Sequence, residues 1–169
     1  RQIKSSSRKT KPRAPFTTSS LQQDSSSRLR LSPSRTMALA QQLFQGINLG
    51  NGEEGLITYM RTDSTALSNE SLSEIKNYVN KSYGDNYYEL RKYKTKSANA
   101  QEAHEAIRPT SINRTPDSIK SFLDDDQFKL YDLIWKRTVA SQMSESVNKK
   151  TTIITLSLIH ISEPTRLGA

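Results

Sequence analysis

Leu56-Ile57-Thr58-Tyr59-Met60 constrains this chain more than any other stretch. The run is apolar and short, and it breaks abruptly into Arg61-Thr62-Asp63-Ser64. It reads as a short buried strand, on which alternation predicts Ile57 and Tyr59 on one face. Residues 46–55, with four of the six glycines, precede it and read as a flexible surface loop. A phosphate cradle would need Gly-Lys-Ser/Thr at its end, which is absent.

Helical patterns surround the strand. Phe16 to Ser20 offers N-cap residues for a polar helix over Leu21–Leu31, stopped by Pro33. Ser34 is expected to cap a second helix, with Met37, Ala40, Leu43 and Phe44 on one face and Gly46 at its end. Two helices joined by Ser-Pro-Ser weakly suggest a helix-turn-helix. Ser68 or Ser71 opens a third helix, with Ser71 and Glu74 spaced as a capping box and Leu72, Ile75 and Val79 as its stripe. Asn99–Ile107 reads as helical, limited by Pro109. Asp124-Asp125-Asp126 suits a helix N-terminus better than a metal site. The helix it opens buries Leu130, Leu133, Ile134 and Val139, with Tyr131 and Trp135 beside them. Residues 1–15 read as an extended entry strand or linker, and Thr151–Leu158 is β-prone. The fold class is therefore mainly α with short β elements.

Charge adds a partner class. The net charge of +8 lies wholly in residues 1–35, which hold nine Lys/Arg against Asp24 alone. Either a phosphate-rich partner or a solubilising tail explains that excess. Tyr87, Tyr88 and Tyr93 among Arg91, Lys92, Lys94 and Lys96 suit a nucleic-acid surface, or simply a hairpin or loop. The absence of cysteine excludes disulfides and Cys-based zinc sites. No apolar run is long enough to span a membrane. The first residues lack a secretory h-region and an initiator Met, so the chain reads as an internal piece of something longer.

The reactive cluster suits phosphodiester chemistry. A tyrosine hydroxyl, with an ordinary pKa of about 10, needs cations to stabilise phenolate and the charge gathering on phosphoryl oxygens. Arg61 can supply one. His104 and Arg108, four residues apart, could share a helix face and clamp a phosphate. His104-Glu105-Ala106-Ile107-Arg108 lacks the second histidine of a zincin, and no Ser-His-Asp triad can be placed.

Five blocks then carry a family resemblance. They are Ala14-Pro15-Phe16-Thr17-Thr18-Ser19-Ser20-Leu21-Gln22-Gln23; Thr36-Met37 with Ala40-Gln41-Gln42-Leu43-Phe44; Gly55 to Ser64; Gln101 to Thr110; and Leu130 to Arg137. In this order, over about residues 12–143, they resemble bacterial type IA DNA topoisomerase I. The resemblance implies that Tyr59 is the nucleophile, forming a 5′-phosphotyrosyl link so that a strand can pass before ATP-independent religation. The enzyme so implied relaxes negatively supercoiled DNA. Arg61 would stabilise the transition state. His104 and Arg108 would contact DNA, with Thr58, Asp63, Ser64, Gln41, Thr18 and Ser19 lining or buttressing the site.

The resemblance further implies a helix-turn-helix, winged-helix (CAP-like) domain of the toroid over residues 12–144. Residues 1–11 and 145–156 would enter the arch domain. Mg²⁺ would be held by ligands outside this chain, with no metal ligand within it. The implied partner is DNA, mainly single-stranded; the implied state is a monomer in the bacterial cytoplasm, associated with the nucleoid. Where the family has Leu-Tyr-Glu-Gly, this chain has Leu43-Phe44-Gln45-Gly46, and Glu53 is a candidate substitute for the missing carboxylate. Residues 157–169 stay unassigned, and Leu158 to Arg166 looks like translated adapter read-through. The rival reading is a non-catalytic helix-turn-helix DNA-binding module. A tyrosine recombinase fits poorly, because there the tyrosine follows the Arg and His.

Overall fold

A computed structural model describes residues 2–94 and 104–154. The chain divides into two compact units, one formed by the segments 1–11 and 145–169, the other by Pro12–Ser144. In the first, strands β1 (Gln2–Thr10) and β4 (Ser146–Ile154) pair antiparallel, from Gln2 opposite Ile154 to Thr10 opposite Ser146. The ribbon is exposed along β4. Residues 155–158 of the expected strand, and the 157–169 tail, lie outside the described residues.

The second unit is helical. Helix α1 (Thr18–Asp24) is capped reciprocally: the Ser20 amide donates to Thr17 Oγ1 and the Thr17 amide to Ser20 Oγ. A π-helical turn, Ser25–Leu29, extends it to Arg30, whose left-handed φ of 56° ends the element before Pro33 is reached. Helix α2 (Pro33–Gln45) begins at Pro33 itself, so Ser32, not Ser34, is its cap. Proline suits the first helical position, where its missing N–H costs nothing. Residues 46–55 are more ordered than the expected loop: β2 (Ile47–Asn48) and β3 (Glu53–Glu54) make a short hairpin.

Helix α3 (Asn69–Tyr83) is capped by Ser68. No capping box forms at Ser71, because the Glu74 carboxylate instead accepts from Ser111 Oγ and the Ile112 amide, both at 3.0 Å. After short α4 (Pro116–Ile119), α5 (Asp125–Ser141) opens on a box in which Asp124 accepts from the Gln127 amide at 2.7 Å. The acidic triplet thus serves the helix terminus. Along α5, Leu130, Tyr131, Ile134, Trp135 and Val139 are buried and Leu133 is half-buried.

One core holds these helices together. Leu21, Leu39, Leu43, Ile75, Val79, Leu130 and Ile134 enclose the central Leu56, Ile57 and Met60. Each such side chain contributes about 1.5–3 kcal/mol when fully buried. Phe44, expected on the buried face of α2, is 37% exposed. Leu72 is only half-buried on α3, where Ser71 is buried instead.

Two further expectations fail around the central run. Leu56–Met60 forms no ladder, only a single bridge between Ile57 and Pro109. Ile57 is 1% exposed whereas Tyr59 is 48% exposed, so they do not share an environment. His104–Ile107 is extended rather than helical, bridged through Ile107 to Phe16; residues 99–103 lie outside the described residues. His104 and Arg108 therefore share no helix face.

Candidate active site

The site is built where three segments meet. Gly55 lets the chain enter it. A Cβ there would lie 2.8 Å from the Phe44 carbonyl oxygen, so only glycine allows the Leu56 amide to reach the Leu43 carbonyl, at 2.8 Å, at the C-terminal end of α2. The next residues bond to the 104–110 segment. The Thr58 amide donates to the Arg108 carbonyl at 2.9 Å and the Thr110 amide to the Leu56 carbonyl at 3.0 Å. Past Tyr59 the partner changes to α1: the Thr18 amide donates to the Thr62 carbonyl at 3.0 Å. This change of partner is the physical reason that strand alternation breaks. Tyr59 turns outward while Met60 returns to the core at 1% exposure.

The Tyr59 ring stands edge-on to Phe44, with centroids 5.4 Å apart and planes at 66°. That contact accounts for the exposure of Phe44 and braces one side of the phenol. Arg61 is exposed and, among the described residues, has no ion-pair partner. It lines an open groove of about 440 Å³ with Gln22, Met37, Gln41 and Met60. Gln41 and Arg61 are thus brought together. Asp63, also exposed, lines a second depression of about 690 Å³ with Thr17, Ser19, Lys94 and Arg137. Arg61 and Asp63 therefore serve two different hollows.

The other expected site residues divide. His104 is exposed. Arg108 is engaged: Nε and Nη2 donate to Glu105 Oε2 at 3.1 and 2.8 Å, and Nη1 to the Pro109 carbonyl. Glu105 in turn accepts from the Ser68 amide at 3.0 Å, tying this segment to the start of α3. The expected His104–Arg108 phosphate clamp is replaced by a Glu105–Arg108 pair. Ser64 is 4% exposed and its Oγ accepts from the Ala66 amide, so it shapes the loop instead of facing a ligand. The hydroxyls of Thr18 and Thr58 are turned onto backbone. Gln45 and Glu53 are both exposed.

Sequence reading missed several contributors. Thr62 is buried and accepts from the Ser64 amide. Beneath α1, Arg137 of α5 donates to Asp24 at 3.0 Å and to the Ala14 carbonyl at 2.7 Å, and lies 4.5 Å over the Phe16 ring. Burial lowers the pKa of this guanidinium from its ordinary value, with Asp24 opposing. Tyr93, read as part of a nucleic-acid surface or of a hairpin or loop, has its hydroxyl proton shared between the Pro12 and Ser141 carbonyls, at 3.1 and 3.0 Å. Only Glu105, three residues before Arg108, had a readable signal.

Among the described residues no group of three His, Asp or Glu side chains could hold a metal ion. The described residues thus offer no ligand set for the Mg²⁺ that the resemblance implies. No helix among them is long and apolar enough to cross a membrane.

The family model described as DNA topoisomerase matches residues 1–164. DNA topoisomerase 1 of Rickettsia conorii is 54% identical over 138 residues, covering 80% of this chain and 18% of that protein. The Xylella fastidiosa Temecula1 counterpart is 50% identical over 149 residues, 86% of this chain and 18% of the relative. Full-length topoisomerase I from Thermotoga maritima superposes with a TM-score of 0.74 at 43% identity, over 89% of this chain and 24% of that one. The chain spans about a fifth of the length of the curated relatives it matches.

Proposed function

Because the chain belongs to the bacterial type IA DNA topoisomerase family, we propose that it carries the nucleophile of a DNA strand-passage reaction, Tyr59. The observation that carries this reading is the exposed phenol on a backbone fixed from both sides, with Arg61, free of ion pairs among the described residues, two positions on. The Tyr59 oxygen attacks a phosphodiester of single-stranded DNA. Its proton is lost, the bond to the 3′ oxygen breaks, and that oxygen leaves as a 3′-OH once protonated. A 5′-phosphotyrosyl bond results. One phosphoester replaces another, so religation by the reverse route needs no ATP, and passage of a strand in between relaxes negative supercoils. Arg61 stabilises the charge on the transferring phosphoryl group. His104, also exposed, contacts the DNA; Gln41 lines the hollow of Arg61 and Ser19 that of Asp63.

Under this proposal Pro12–Ser144 is the winged-helix-like tyrosine domain of a toroid, and the β1–β4 ribbon is where it enters the arch. Metal ligands, the remaining toroid and further DNA-binding parts come from outside these residues. The enzyme acts as a monomer on DNA in the bacterial cytoplasm.

The test is covalent trapping. The chain replaces the corresponding segment of the Rickettsia conorii enzyme and is mixed with a labelled single-stranded substrate. An adduct that disappears in Tyr59→Phe is expected. An adduct that persists in that variant overturns the assignment of Tyr59. DNA binding without any adduct favours a non-catalytic binding module.

A further inference from the structure

We infer that Thr18 and Thr58 are positioning residues whose hydroxyls fix the main chain on either side of Tyr59, rather than DNA contacts. The inference rests on the reading of Tyr59 as nucleophile. A threonine hydroxyl has one proton to donate and two lone pairs to accept with. Thr58 Oγ1 donates to the Ala106 carbonyl at 2.8 Å and accepts from the Arg108 amide at 3.0 Å. Thr18 Oγ1 donates to the Met60 carbonyl at 2.7 Å and accepts from the Thr62 amide at 2.8 Å. In both cases backbone takes the only proton and one lone pair, so neither hydroxyl has a donor left for a phosphate.

The two clamps hold adjoining points. Thr58 precedes Tyr59 and Met60 follows it, so the residue bearing the phenol is pinned at both ends. The pinning matters because this segment has no regular ladder beyond the single bridge at Ile57. Threonine is stiff at χ1, which makes the clamp rigid. The Thr18 clamp is itself anchored. Thr18 opens α1, and Asp24 at the other end of α1 is held by Arg137. Loss of the Thr18 hydroxyl leaves the Met60 carbonyl and Thr62 amide without this partner and lets the phenol drift from in-line attack.

The experiment uses the full-length Rickettsia conorii chimaera carrying Thr18→Val, which keeps the shape, and Thr18→Ser, which keeps the hydroxyl. Three quantities are read: DNA affinity, the single-turnover cleavage rate of bound single-stranded DNA, and exchange of the Thr62 amide. Thr18→Val should slow cleavage of bound DNA by about a hundredfold, the cost of a misplacement near 1 Å. Affinity should stay unchanged and Thr62 exchange should rise, with Thr18→Ser restoring both rate and protection. Thr58→Val should act likewise, read at the Arg108 amide. Weaker binding with unchanged cleavage of bound DNA overturns the inference, as does unaltered Thr62 exchange or a serine variant as impaired as the valine one. A parent chimaera that forms no adduct defeats the proposed function, while amide exchange still decides the clamp.

Discussion

At the residue scale, the site depends on atoms too few to see in a composition. Arg61 is free of ion pairs among the described residues and lines an open groove with Gln22, Met37 and Gln41. If Arg61 stabilises the transition state as proposed, replacing it with alanine in the full-length chimaera should lower the cleavage rate by about 10²–10³, the usual effect of removing one such donor. Gly55 matters for the opposite reason, the lack of a side chain. A methyl group there would press on the Phe44 carbonyl, so Gly55→Ala should cost about 1–3 kcal/mol, read from the urea midpoint of the chain. Tyr131 is fully buried and donates to the Arg114 carbonyl at 2.6 Å. Burial, the largest cause, holds its pKa above the ordinary value of about 10. The neutral form is therefore favoured in the fold, and its stability contribution is complete below pH 10. Above that, the unfolded chain loses its proton first and stability falls. Tyr131→Phe should cost about 1 kcal/mol at neutral pH yet flatten the decline above pH 10, measured by denaturation across that range.

At the scale of elements, helix ends were legible because capping acts over three or four residues. Asp124 with Gln127, Ser68, and Gly46 past α2 follow local rules. Asp124→Ala should therefore cost about 1 kcal/mol with no change in the denaturant slope. The same rules failed where two local signals competed. Pro33 read as a stop for one helix, but its fixed φ also suits the start of another, and the second use prevailed. The ribbon shows what register adds. Residues opposite each other share a face, so Lys4, Arg8 and Lys150 project together with Ser6, Asn148 and Thr152, and no acid lies within either strand. If this ribbon meets DNA backbone, replacing all three cations by glutamine should flatten the salt dependence of single-strand binding. The log–log slope should fall by about 0.7 for each cation that had neutralised a phosphate, and fluorescence anisotropy over a salt series checks it.

For the whole molecule, sequence and structure settled different things. Motif order alone pointed to the family, to Tyr59 and to Arg61, because the family's chemistry needs those residue types in that spacing. Helices α2, α3 and α5, the acidic start of α5 and most of its buried stripe also followed from the sequence, since periodicity and capping are set within a few neighbours. Only the tertiary structure decided what faces what. Thr18 meets the Met60 carbonyl 42 residues away, and Thr58 meets the Ala106 carbonyl 48 away. The segment that carries His104 and Arg108 is extended, which a helical pattern of Ala and Glu had hidden, and Arg108 pairs with Glu105. Phe44 left the core to brace the phenol. These outcomes depend on which buried backbone groups find partners after the chain has packed. No local pattern encodes that choice, so the sequence singled out Tyr59 as the candidate nucleophile and the fold determined how its segment is held.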